Sequence, residues 1–400
     1  MNKFNSIEEA INDIKDGKMI IVIDDEGREN EGDLLMAAEK VTPEHINFMA
    51  RFGRGLICMP INRNLAKKLN IGSMVTVNTD NHETAFTVSV DHIDTTTGIS
   101  AYERALTIKK IIDENSNDID FRRPGHMFPL IAKDNGVLER RGHTEAAIDL
   151  AKLAGLKEAG VICEIMKDDG TMARTDDLFI FAKEHNLKII TIEDLVKYRE
   201  KEEILIKVEA KVEMPTKYGD FKMYGYTEEV SGKEHIALVL GNIENSVSVL
   251  VRIHSECLTG DIFGSKRCDC GEQLDFALKN IVKEGTGIVL YMRQEGRGIG
   301  LINKLKAYKL QENGYDTVDA NLKLGFSPDL RTYDIAASIL KSLGVSTVRL
   351  MTNNPDKING LREYGVNITE RVPIEIEEND KNKFYIETKK ERMNHIYLNK

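Results

Sequence analysis

Ile204-Leu205-Ile206-Lys207-Val208-Glu209-Ala210-Lys211-Val212 begins the stretch that decides the architecture. It is the first of four strand-like segments, 204–214, 221–230, 235–241 and 247–254, with Ser231-Gly232-Lys233-Glu234 as a hairpin turn. Upstream, helices and strands alternate instead. Ser6 and Glu9 make a capping box ahead of Ile7, Ala10, Ile11 and Ile14, and Gly17 closes that helix. Residues 19–23 read as a short buried strand, Thr42-Pro43-Glu44 opens a helix, and 55–59 is the next strand. Ser100 and Glu103 start a helix through about Asp113, and 144–156 is an amphipathic helix leading to a strand at 161–165. Helices near 176–186 and 193–203 finish this half. Beyond the run of strands, helices at 271–284, 300–313, 331–343 and 355–364 interleave with strands near 286–292, 345–351 and 366–374. The change of pattern sets a boundary near 200–210. The expectation is a two-domain α/β (α+β) protein. Residues 1–203 form a mixed-sheet domain with flanking helices, and 204–400 an α/β domain that begins with a run of strands. The charged last two dozen residues are either a tail or docked by Phe384, Tyr385, Ile386 and Tyr397.

Composition narrows the function. The 400 residues carry 55 Lys and Arg against 65 Asp and Glu, a net charge of −10, which speaks against nucleic-acid binding. Residues 1–200 hold 26 basic and 35 acidic side chains, 201–400 hold 29 and 30, so an anionic ligand needs a local Arg/Lys cluster. No apolar run is long enough to span a membrane, and the N-terminus lacks a signal-peptide stretch. Five cysteines, an odd and sparse set, point to a reducing, cytoplasmic location rather than a disulfide scaffold.

Three of those cysteines crowd together. Arg252-Ile253-His254-Ser255-Glu256-Cys257 is followed, ten residues on, by Cys268-Asp269-Cys270, at a strand end and just before a helix. Thiolates in this spacing suit Zn²⁺. Three ligands leave a position for water, as a catalytic zinc requires; the alternative is a structural site completed by His254. Next, Arg293-Gln294-Glu295-Gly296-Arg297-Gly298-Ile299-Gly300 links a strand to a helix. It lacks both the dinucleotide fingerprint and the Gly-Lys-Ser/Thr of a P-loop, but its arginines favour phosphate or purine recognition. Asp329 is either a helix cap or a proton acceptor, and Thr352-Asn353-Asn354-Pro355-Asp356-Lys357 ends a strand where α/β sheets often bind ligands.

The first half has its own cluster. Asp24-Asp25-Glu26-Gly27-Arg28-Glu29-Asn30-Glu31-Gly32-Asp33 holds six carboxylates in ten residues between buried strands. Such a run is a solvated loop or a site for Mg²⁺. Residues 121–130, with His126, read as a basic, proline-bracketed loop, and Arg140-Arg141-Gly142-His143-Thr144 as a phosphate site before a helix. His143 is a metal ligand or an N-terminal hydrogen-bonder, and if a ligand it brings Mn²⁺ into play. Glu164 lies in an apolar strand, where it is either a buried carboxyl of raised pKa or an outward-facing edge residue. Cys58 and Cys163 read as core; the alternative for Cys58 is a place at the border of the site.

These motifs resemble two families. Residues 205–400 resemble GTP cyclohydrolase II. The resemblance implies zinc on Cys257, Cys268 and Cys270, and GTP contacts from Arg252, Ile253, His254, Ser255, Glu256, Gln273, Glu295, Gly296, Arg297, Thr317, Thr352 and Lys357. It implies that water activated by zinc attacks guanine C8, with release of formate and pyrophosphate. Asp329 would be the proton acceptor and Arg331 a nucleophile toward the α-phosphate, or, since a guanidinium is a poor nucleophile, a stabiliser of phosphate charge. Tyr308 would place a proton or a ring edge. Residues 1–200 resemble 3,4-dihydroxy-2-butanone 4-phosphate synthase. This implies Mg²⁺ or Mn²⁺ on Glu29 and His143, and ribulose 5-phosphate on Arg28, Glu29, Asp33, Arg140, Arg141, Gly142, His143, Thr144 and Glu164, with His126 and Glu164 needed for activity. The order matches bifunctional riboflavin biosynthesis proteins, which implies a homodimer acting on small molecules. The alternatives are one active half with the other a scaffold, or a zinc-bearing GTP sensor without turnover.

Overall fold

The computed structural model describes residues 3–244, 246–327 and 329–397. Two compact units divide it, Met1–Arg199 and Glu200–Lys400.

The first unit is built on seven strands: β1 (Ile20–Ile23), β2 (Gly32–Ala37), β3 (Cys58–Ile61), β4 (Val90–His92), β5 (Phe121–Ile131), β6 (Gly160–Glu164) and β7 (Lys188–Thr191). They lie in the order β4-β5-β3-β6-β2-β1-β7, with parallel and antiparallel neighbours mixed. Every residue of β1 and β2 is buried, because helices cover both faces. Side chains alternate across a strand, so Ile21, Ile23, Leu34 and Met36 join one core with Ile46, Ala105 and Leu178. Ile20, Val22, Leu35 and Ala37 join the other, with Ile14, Leu150 and Leu195.

The second unit carries β8 (Ile206–Pro215), β9 (Asp220–Glu228), β10 (Glu234–Leu240), β11 (Val249–Ser255), β12 (Gly287–Met292), β13 (Thr347–Met351) and β14 (Asn367–Val372), in the order β14-β13-β11-β12-β10-β9-β8. The expected run of four strands is the antiparallel meander β8–β10 together with β11. The parallel set β11–β14 follows with its connecting helices. The helix Cys270–Glu284 packs Ala277, Leu278 and Ile281 on Phe221, Leu250 and Val289.

One expectation changes and one open alternative is decided. Residues 121–130 are not a loop but most of β5. Met127 pairs with Val90 and Arg122 with Asp91, so residues 123–126 bulge out of the ladder, and Pro124, which has no N–H to give, sits in that bulge. The C-terminal segment is docked: the helix Lys383–Arg392 follows the sheet, and Ile386 is buried. The side chain of Phe384 lies outside the described residues.

Leu35 is fully buried between β1 and the helices of its face. Leu35→Ala is expected to lower the unfolding free energy of the first unit by about 2–5 kcal/mol, as cavity formation does elsewhere. Denaturant unfolding checks this, and a loss near zero would contradict the packing described.

Candidate active sites

In the first unit the acidic run is the turn between β1 and β2. Asp24 is buried and organises it. Its Oδ2 accepts from Arg28 Nη1 at 2.7 Å and from the Glu29 amide at 3.2 Å, and its Oδ1 accepts from the Glu31 amide at 2.9 Å. Donor atoms of Asp24, Glu29 and His143 then fall within 4.8 Å of one another, so the turn is no free solvated loop. Sequence reasoning passed over Asp24; its place directly after a buried strand was the available signal.

His143 is the first residue of the helix His143–Leu153, and it is buried. Its Nε2 lies 3.1 Å from the Val22 carbonyl, which can only accept, so Nε2 carries the proton and Nδ1 keeps its lone pair. Nδ1 is 3.6 Å from Asp33 Oδ1, a buried atom with no hydrogen-bond partner. Burial lowers the proton affinity of His143. Burial, then repulsion from Glu164 and Glu29, raises Asp33 well above the ordinary carboxylate range. Two carboxylates, a neutral imidazole and an orphaned carboxylate oxygen fit a hard divalent cation.

Glu164 ends β6 directly across from Asp33. Glu164 is half-buried on an inner strand, between β3 and β2, and burial raises its pKa. Its Oε2 accepts from the Leu56 amide at 2.8 Å, and a Cβ at Gly55 would stand 2.5 Å from that oxygen. Here the strand expected from 55 starts only at Cys58, because Gly55 and Leu56 turn aside to hold the carboxylate. Arg141 approaches Asp25 at 3.8 Å, Gly142 is the helix N-cap, and Thr144 is buried behind it. Arg140 is fixed by Glu145 at 2.5 Å and by Thr84 Oγ1 at 2.9 Å. The described side-chain partner of His126 is Asp91, Nδ1 to Oδ2 at 2.7 Å, not the Glu29 cluster. Cys58 and Cys163 are core residues.

In the second unit Cys257 follows β11, and Cys268 and Cys270 precede and begin a helix. The sulfurs of Cys257 and Cys268 are 3.7 Å apart, and all three lie within 4.8 Å. Tetrahedral zinc with bonds of about 2.3 Å spaces its sulfurs at about 3.8 Å, so the trio fits that ion. Gly260 allows the approach: a Cβ there would sit 3.0 Å from one sulfur and 3.1 Å from another. His254 does not complete the set. Its Nε2 is 3.0 Å from both carboxylate oxygens of Asp261, and its ring stacks on Tyr291. Lys304, which sequence reasoning missed, donates to Cys257 Sγ at 3.1 Å and to Glu295 Oε1 at 2.8 Å. Hydrogen bonds from the other two thiols, helped by Lys304, hold Cys257 far below the usual thiol range, while Cys268 is pushed up to about 11.

The cysteines face a cleft lined by Arg252, His254, Ser255, Glu256, Gln273, Glu295, Gly296, Arg297, Tyr308, Thr317, Arg331, Thr352 and Lys357. Gly296 and Arg297 both adopt φ +63°, which turns the backbone at the cleft edge. Ile253 differs from expectation: its side chain is core, and only its carbonyl takes part, accepting from Lys357 Nζ at 2.8 Å. Asp329 caps no helix, since that helix starts at Asp334. Its Oδ1 instead accepts from Arg331 Nε at 2.9 Å. Burial opposes the Asp329 charge, but the Arg331 hydrogen bonds outweigh it and leave the carboxyl below its ordinary range. Asn321, Asn353, Asn354, Tyr385, Lys389 and His395 also line the cleft and were not foreseen as site residues.

The family description of 3,4-dihydroxy-2-butanone 4-phosphate synthase matches residues 8–198, and that of GTP cyclohydrolase II matches 207–373. The riboflavin biosynthesis protein RibBA of Bacillus subtilis is 59% identical over 394 residues, covering 98% of this chain and 99% of its own. The Bacillus cereus protein of that name is 58% identical over 393 residues with the same coverage. The crystal structure of RibBX, a two domain 3,4-dihydroxy-2-butanone 4-phosphate synthase from A. baumannii, shares 36% identity at a TM-score of 0.66, covering 93% of this chain and 100% of that one. With both halves matched and both donor clusters assembled, the chain belongs to the family of bifunctional riboflavin biosynthesis proteins, which join a 3,4-dihydroxy-2-butanone 4-phosphate synthase to a GTP cyclohydrolase II.

Proposed function

We propose residue roles for the two reactions. In the first unit, D-ribulose 5-phosphate binds between the acidic turn and the segment Arg140–Thr144, and leaves as 3,4-dihydroxy-2-butanone 4-phosphate and formate. Glu29 and His143, with Asp24 beside them, would hold Mg²⁺ or Mn²⁺, which supplies polarisation of the sugar carbonyl. Glu164 is the proton carrier. Burial raises the pKa of this carboxyl, which makes it a stronger proton acceptor than a solvated one. Arg141 and Arg28 offer cationic contacts, and His126 acts from its Asp91 partner.

In the second unit, GTP lies in the cleft before the cysteines and is hydrolysed to 2,5-diamino-6-hydroxy-4-(5-phosphoribosylamino)pyrimidine, formate and pyrophosphate. Cys257, Cys268 and Cys270 would hold Zn²⁺, which supplies acidification of water. Asp329, kept ionised by Arg331, accepts a proton. Arg331, always charged and bound side-on to Asp329, stabilises phosphate charge rather than attacking it. Tyr308 orients the ring side of the substrate from the cleft wall. The observation that carries this reading is the three-sulfur cluster with His254 turned away to Asp261. A GTP sensor with a closed zinc shell would need a fourth protein ligand, and His254, the one foreseen for it, is engaged elsewhere. A homodimer in the reducing cytoplasm completes the proposal, in keeping with five free thiols. Among the described residues, no helix is long and apolar enough to cross a membrane.

Formate release measured separately from each substrate tests these roles. Cys268→Ser is expected to abolish formate from GTP and lower bound zinc while leaving formate from ribulose 5-phosphate intact. Glu29→Ala should do the reverse. Loss of both activities from either change would contradict separate sites. Gly55→Ala should displace the Glu164 carboxylate and cut formate from ribulose 5-phosphate by about tenfold or more, as misplacement of a catalytic group does. An unchanged rate would remove Glu164 from the proton-transfer role.

A further inference from the structure

Residues beyond 373 lie outside the matched cyclohydrolase region, yet they form one wall of the nucleotide cleft. The helix Lys383–Arg392 and the segment after it are tied down at three points. Lys389 Nζ donates to Asp269 Oδ1 at 2.6 Å, between two of the cysteines. Arg392 reaches Asp319 at 3.0 Å, and the Ile396 amide donates to the Asn353 carbonyl at 2.8 Å. The first tie continues inward: Gln273 Nε2 donates to Asp269 Oδ2 at 2.7 Å, and Arg252 Nη2 donates to Gln273 Oε1 at 2.7 Å. A hydrogen-bonded chain thus runs from the C-terminal helix to Arg252.

These ties leave His395 facing the cleft with a buried Nδ1 that has no hydrogen-bond partner. Arg297 Nη1 and Tyr397 Oη are likewise buried without a partner. Lys389, Arg297, Arg331 and Lys357 all act on the imidazole, whose pKa burial and these charges push down to about 3. Lys389 and Arg331 are paired with Asp269 and Asp329, but among the described residues no carboxylate pairs with Arg297 or Lys357, and buried polar atoms left without partners are costly. An extended polyanion with many acceptor oxygens satisfies both deficits.

We propose that the C-terminal segment is part of the nucleotide site, with His395 hydrogen-bonding a phosphate oxygen of the nucleoside triphosphate and Lys389 positioning the segment through Asp269. The proposal rests on the reading of this cleft as the GTP site. It is tested in the full chain with His395→Ala and Lys389→Met, using formate release from GTP, zinc content, and inhibition by guanosine and by inorganic tripolyphosphate. Each variant should raise KM for GTP and weaken tripolyphosphate inhibition by about tenfold, the scale of one lost hydrogen bond to a charged group. Guanosine inhibition, kcat and zinc per chain should stay near wild type. Lys389→Arg should restore most of the loss in Lys389→Met. Equal weakening of guanosine and tripolyphosphate, or an unchanged KM, overturns the proposal. Should His395→Ala lose zinc, His395→Gln is judged by the same criteria. A wild-type chain that releases no formate from GTP would instead sink the cyclohydrolase reading itself, and the proposal with it.

Discussion

Three thiols held within 4.8 Å of one another are the constraint on which the second unit turns. Without a cation only part of that set can ionise, since each new thiolate is repelled by the one already formed. Lys304 relieves the first charge but no more. The fold accepts this cost by using a glycine at 260 and a helix start at Cys270, both of which bring sulfur close to sulfur. Arg252, Arg297, Arg331 and Lys357 line the same cleft as the sulfurs, so cationic groups and the thiol cluster face one cavity.

The first unit solves a related problem with oxygen. Antiparallel pairing sets the buried Asp33 against the half-buried Glu164, two carboxyls that repel each other. Burial raises the pKa of both, so each holds its proton more readily than a solvated carboxyl does. The helix starting at His143 and the turn at Asp24 then add the remaining donors, and backbone bonds from Leu56 and Val22 fix the angles of Glu164 and His143.

Much of this was legible in the chain. The capping box at Ser6, the strand run after 204 and the cysteine spacing all reflect local physics, and each recurs in the structure. What failed was information carried by distant partners. Residues 121–130 looked like a loop because prolines forbid regular pairing, and only the bulge against β4 shows how they join a sheet. Asp24 looked like one acid among six until its bonds to Arg28 and Glu31 set it apart. The apolar and aromatic positions of the charged C-terminal segment signalled docking, and Ile386 is buried, but the ion pairs to Asp269 and Asp319 had no signal in the sequence.

β8 ends its sheet and, among the described residues, pairs on one side only, with β9. Almost its whole length is exposed, with Lys207, Glu209, Lys211 and Glu213 alternating in sign beside exposed Val208 and Val212. An uncapped edge of this kind invites a further strand from another molecule, and alternating charge is the guard against it, since any newcomer must present the complementary sequence in register. The guard is electrostatic, and so it weakens as salt screens it, leaving the valines to decide whether concentrated protein stays dispersed.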